Sequence, residues 1–133
     1  MLDKTYTLLQ ERIEHCKSVK NYIKRLQKVK NQQVLIEGSY DVQLSNWRKC
    51  KRIINSLRDD TCVHRDSDIL ELKEIFLPDI VKMKDKCNEE INRLNVEDDK
   101  KPINQENAST LIPKLQDSLS NLEETYQELL NFN

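Results

Sequence analysis

The chain has 133 residues, of which one is glycine and three are proline, with 5% aromatic, 34% charged and 37% hydrophobic side chains. That length fits one domain with a modest core. Only glycine takes positive φ without a Cβ clash, so a single glycine all but excludes β-sandwiches, barrels and dinucleotide-binding α/β units, and the chain should be helical.

A mean hydropathy of -0.78, with Lys, Glu, Leu, Gln, Ile and Asn dominating, is a long-helix composition rather than a disordered one. No apolar run approaches the roughly 18 residues of a membrane span, and the first residues enter an amphipathic pattern rather than a signal peptide, which predicts an intracellular protein, cytoplasmic or nuclear. Cys16, Cys50, Cys62 and Cys87 lie far apart and are expected to be reduced thiols. The net charge of -1 hides a split. Residues 1–58 hold thirteen Lys or Arg against five Asp or Glu, a net of +8, and residues 59–133 hold nine against eighteen, a net of -9. Either the halves neutralise each other in the fold, which is the preferred reading, or the basic half faces an anionic partner.

In chain order, Leu9, Ile13, Cys16, Val19, Ile23, Leu26 and Val29 recur in steps of three and four and predict a helix from about residue 3. Its end is ambiguous. Gly38 followed by Ser39 has the form of a helix stop and restart, giving helices over about 3–37 and 40–57. Yet Val29, Gln33, Ile36, Tyr40, Leu44, Trp47, Cys50, Ile54 and Leu57 keep the rhythm throughout, so one continuous helix of about 55 residues is the alternative. Arg58 to Ser67 loses the period and is expected to be a connection. Asp68 and Glu71 have capping-box spacing. Ile69, Leu72, Phe76, Ile80, Met83, Cys87, Ile91 and Leu94 then predict a helix over about 68–94, kinked at Pro78. Residues 95–108 read as the longest and most mobile loop. Leu111, Leu115, Leu119, Leu122, Tyr126 and Leu129 predict a last helix over about 109–131, with Pro113 tolerable only near its start. The fold expected for residues 1–133 is a single all-α domain, an antiparallel bundle of three or four long amphipathic helices with coiled-coil character.

Catalytic chemistry is not expected. His15 lacks the Lys-Gly that follows a phosphotransfer histidine on a four-helix bundle, since Ser18 and Val19 stand there. The pairs His15-Cys16 and Cys62-Val63-His64 have neither Cys-x2-Cys nor His-x3-His spacing, so no zinc is expected. There is no di-iron Glu-x-x-His pair, haem Cys-x-x-Cys-His or phosphate-binding glycine loop. No cofactor and no small-molecule substrate follow from the sequence.

What remains is surface. Ile36, Tyr40, Leu44, Trp47 and Ile54 form an apolar stripe expected to meet a partner, either another helical protein or a further copy of the chain. Lys17, Lys20, Lys24 and Lys28 run beside the first stripe, and Arg48, Lys49, Lys51 and Arg52 cluster beyond Trp47. They are candidates for an anionic ligand. Nucleic acid is not expected, because aromatics do not interleave with the cations.

Ile36-Glu37, Tyr40, Leu44 and Trp47 also have the spacing Ile-Glu-x-x-Tyr-x-x-x-Leu-x-x-Trp, which resembles the start of F-BAR domains over residues 10–54. The resemblance implies a dimeric, elongated helical module whose basic surface binds anionic membranes. Gln32 and Gln33 stand where that family carries an arginine. The sequence by itself favours a non-catalytic interaction module, a scaffold or adaptor subunit of a larger eukaryotic complex, with F-BAR-like membrane binding as the alternative.

Overall fold

The computed structural model describes residues 1–30, 37–100 and 105–133, and the side chains of residues 1–25, 40–95 and 110–133. The described residues form four helices: α1 (Asp3–Lys30), α2 (Glu37–Arg58), α3 (Arg65–Lys100) and α4 (Gln105–Leu130). The chain divides into two compact units, Met1–Phe76 with Asn133, and Leu77–Phe132.

In the first unit α1 and α2 pack together. They run antiparallel, since Arg58 bonds Asp3 at 2.8 Å, Arg12 lies 5.8 Å from the Trp47 ring and Lys20 pairs with Asp41. The chain therefore reverses between them, and the single long rod is not formed. Gly38 is not the stop. It is the second residue of α2, and no described glycine has positive φ. Residues 31–36, between the two helices, lie outside the described residues.

Without glycine, the helix ends use other residues. The Tyr6 N–H donates to the Leu2 carbonyl at 2.9 Å, so Leu2 caps α1, with φ at 55°. A left-handed leucine costs about 1–3 kcal/mol. Its side chain is buried, which contributes about 1.5–3 kcal/mol and offsets that strain. At the end of α2, Asp60 takes φ of 55° and the Thr61 N–H reaches back to the Ser56 carbonyl at 2.9 Å. This is a Schellman closure with aspartate in the place glycine usually fills. Arg58 then ties the two ends together, donating from Nε to the Met1 carbonyl at 3.0 Å and from Nη2 to Asp3, while its guanidinium lies 4.4 Å from the Tyr6 ring centroid.

The core of this unit is built from Leu2, Thr5, Leu9, Ile13 and Cys16 of the α1 segment, Leu44, Trp47, Cys50, Ile53, Ile54 and Leu57 of α2, and Ile69, Leu72 and Phe76 of α3. Lys49 pairs with Glu71, joining α2 to α3. The Asp68–Glu71 capping box is not made. Helix α3 begins one turn earlier, with the Asp68 N–H donating to the His64 carbonyl at 2.8 Å. Asp68 is thereby inside the helix, where its carboxylate accepts from the Cys62 thiol at 2.9 Å.

Helix α3 runs through Pro78 without interruption. Proline frees the carbonyl four residues back, and both Pro78 and Glu74 are exposed, so water can satisfy it. The division between the units falls next to this proline, at Phe76 and Leu77. The loop expected over 95–108 is largely helical: α3 reaches Lys100 and α4 starts at Gln105, while residues 101–104 lie outside the described residues. Asn95 to Lys100 contains neither glycine nor proline, and nothing in it stops a helix that is already propagating. Pro113 sits well inside α4 rather than near its start, exposed on the solvent side.

In the second unit Ile80 and Leu94 of α3 and Leu122, Thr125 and Leu129 of α4 are buried. Lys84 pairs with Glu123 and lies 5.3 Å from the Tyr126 ring, which fixes α3 against α4. Thr125 is accommodated because its hydroxyl donates to the Asn121 carbonyl at 2.7 Å.

Phe76 is fully buried, and truncation to alanine should cost about 3–5 kcal/mol. Asp60→Gly should act in the opposite direction, raising stability by about 1 kcal/mol through release of the left-handed strain. Urea unfolding of the two variants beside the wild type measures both.

Candidate functional site

Among the described residues no three His, Cys, Asp or Glu side chains converge as a metal site. Both histidines are exposed and the four cysteines are free. Burial pushes the Cys16 thiol above its ordinary range, against the pull of Arg12, Lys20 and Arg48. The hydrogen bond to Asp68 raises Cys62. Neither thiol is thereby made a nucleophile, because the thiolate is the reactive form. Surfaces carry what information remains.

The stripe expected to meet a partner is placed largely inside the chain. Leu44 and Trp47 are 5% and 4% exposed and Ile54 is fully covered. These three pack in the first unit's own core, so they offer nothing to a second protein in this conformation. Tyr40 is half-buried, its backbone carbonyl 3.8 Å from the Cys16 sulfur, and Ile36 lies outside the described residues. The reason is the chain reversal, since α1 covers the α2 face that a rod would have left open.

The eight basic residues split in the same way. Lys20 pairs with Asp41, Lys49 with Glu71 and Lys17 with Glu14. Lys51 lies over the Tyr6 ring at 5.6 Å. Lys24, Arg48 and Arg52 are exposed and have no ion pair with a described residue, and the side chain of Lys28 is outside the description. Lys49–Glu71 joins the basic half to the acidic half, whereas Lys20–Asp41 and Arg58–Asp3 stay within the basic half. Part of the basic surplus is consequently left facing solvent.

Apolar stripes, by contrast, run on past the cores that cover them. On α1 the last buried residue among the described side chains is Cys16, and Val19 and Ile23 are only half-buried. On α4 Leu122 and Leu129 are buried, Leu115 and Leu119 half-buried, and Leu111 is 43% exposed. On α3 Met83, Cys87 and Ile91 are half-buried between Ile80 and Leu94. Nothing in the sequence period distinguished covered from uncovered positions, because the spacing is the same along each stripe. Exposed Tyr22 and Val42 add to the uncovered area of the first unit.

No protein-family model, no curated protein and no solved structure matches the chain. No described helix is long and apolar enough to cross a membrane.

Lys84 holds the Glu123 carboxylate below its ordinary value of 4.5, with Gln127 adding to the effect. Arg93 does the same for Glu90. A carboxylate whose folded value lies below its unfolded value contributes stability that is complete above about pH 4.5 and is lost as pH falls through the lower folded value. Glu123→Gln should therefore flatten the acid side of the stability curve below about pH 4.5 and leave its shape above about pH 6 unchanged. Denaturant melts at stepped pH measure this, and an acid limb identical to wild type would show that the pair contributes nothing to it.

Proposed function

We propose that the chain is a non-catalytic helical interaction module, a scaffold or adaptor subunit of a larger eukaryotic assembly. Its helices form an antiparallel, coiled-coil-like bundle whose remaining apolar stripe is completed by helices of other subunits. The observation that carries this reading is α4, whose stripe passes from full burial at Leu129 to 43% exposure at Leu111 without changing its spacing. Leaving large aliphatic side chains half-covered forgoes about 25 cal/mol for each Å² kept in water, and their alignment along one helix face supports a surface that a partner covers.

The test moves from the residues first expected to those left uncovered. Leu111→Lys with Leu115→Lys should leave helicity and melting close to wild type, while a partner that co-purifies with the wild-type chain, and binds it when reconstituted, is lost. Leu44→Lys should instead unfold the first unit. A wild-type chain that stays monomeric and binds no protein would overturn the reading.

Exposed Lys24, Arg48 and Arg52, without ion pairs to described residues, support a second reading, F-BAR-like binding of anionic membranes. It expects sedimentation with vesicles containing phosphatidylserine that weakens with salt and with Arg48→Glu/Arg52→Glu. Absence of sedimentation at low salt would rule it out.

A further inference from the structure

Antiparallel packing of α1 and α2 brings together cations that stand far apart in the sequence. Asp41, Lys51 and Arg58 of α2 all reach the flank of α1 that carries Tyr6 and Lys20. Arg48 and Arg52 come seven and eleven residues after Asp41 and so share its flank of α2, and Lys17 comes eleven residues after Tyr6 and shares its flank of α1. The Cys16 thiol of α1, raised by burial, also feels the charges of Arg12, Lys20, Asp41 and Arg48, which sets Arg48 against α1. Lys49 lies further round α2 and is taken by Glu71 of α3.

The contacts of Asp3 with Arg58, Arg12 with Trp47 and Lys20 with Asp41 fix a register in which Arg48 stands opposite residues 11–13. Arg52, Arg48 and Lys17 therefore succeed one another along the outer α1–α2 seam, the first two from α2 and the third from α1, at steps of roughly 6–8 Å. All three are exposed. Arg48 and Arg52 have no ion pair with a described residue, and Lys17 has only an exposed pair with Glu14 at 3.6 Å. Lys51 beside them has the Tyr6 ring and no ion pair with a described residue. The other described acids of this flank lie beyond the ends of the stretch: Asp41 past Lys17, and Asp3 and Asp59 past Arg52.

Resting on the interaction-module reading, we propose that this seam binds an acidic helix of a partner protein, one that carries carboxylates four residues apart along one face. Such carboxylates recur roughly every 6 Å, which matches the steps between the three cations. The two arginines can each take a carboxylate with two parallel N–H donors. An anionic bilayer is negative throughout and would meet Asp3, Asp41 and Asp59 as well, whereas an acidic stretch of about two turns ends before it reaches them. The charges set register and choice of partner, and the half-covered aliphatic stripes supply adhesion.

Fluorescence anisotropy tests this on the full chain, with a labelled alanine-based helical peptide carrying three glutamates four residues apart. At low salt the wild type should bind the peptide saturably, and less tightly as salt is raised. Arg48→Gln/Arg52→Gln, with melting unchanged, should weaken binding by about tenfold or more, while Lys82→Gln/Lys86→Gln on α3 should leave it within about twofold. A peptide of the same composition with its glutamates spread round the helix should bind at least about fivefold less tightly. No saturable binding, equal binding of the two peptides, or an arginine variant that binds as the wild type does overturns the proposal. So does sedimentation with phosphatidylserine vesicles that depends on Arg48 and Arg52 while the matched peptide does not bind, a result that favours the bilayer. If the peptide fails and a co-purifying partner is still lost with Leu111→Lys/Leu115→Lys, the interaction-module reading survives and the acidic helix does not. If no protein binds, both fail.

Discussion

An amphipathic helix can hide its apolar stripe only where another helix lies over it, and a pair of helices leaves part of each stripe facing outward. That geometric limit governs this chain. In the first unit three helical segments contribute, and Phe76, Leu72, Ile54, Cys50 and Leu9 vanish from solvent. The second unit taken alone has two, and its stripes are covered at Ile80, Leu94, Leu122 and Leu129 but only partly between them.

Charge follows the same division of labour. Where two helices meet, lysines and acids are drawn into specific pairs: Lys20 with Asp41, Lys49 with Glu71, Lys84 with Glu123. Such exposed pairs add little stability individually, about 1 kcal/mol or less. Their larger effect is to orient helices whose apolar contacts are permissive. Arg58 does more, because one guanidinium meets a carbonyl, a carboxylate and an aromatic face, and so fixes the N-terminal end of α1 against the C-terminal end of α2.

Much of the helical framework was legible in the sequence. The three-four rhythm from Ile69 to Leu94 locates α3 through Pro78, and the core positions Leu72, Phe76 and Ile80 fall on it. Three things were not legible, each for a physical reason. Thr5 and Thr125 are polar by type and buried in fact, because a helical threonine can satisfy its hydroxyl locally, as Thr125 does on Asn121. Helix ends were misplaced because glycine and proline serve as punctuation marks, and this chain stops α2 with aspartate, keeps Gly38 within a helix and places Pro113 inside one. The candidate surface was misplaced because periodicity finds an apolar face without saying what covers it. Trp47 and Leu44 belong to α1's shelter, and Lys49 and Lys51 are spoken for by Glu71 and Tyr6.

The left-handed Asp60 has a consequence for how the chain assembles in time. It terminates α2 through hydrogen bonds to neighbours in sequence, from the Thr61 N–H and hydroxyl to the Ser56 carbonyl, so this helix stop can form before any distant residue arrives. Short-range contacts of this sort keep the loop-closure entropy of folding low, and helical proteins dominated by them fold in microseconds to milliseconds. The partly covered apolar stripes would then be arrayed on helices whose ends are already set by their own neighbours in sequence.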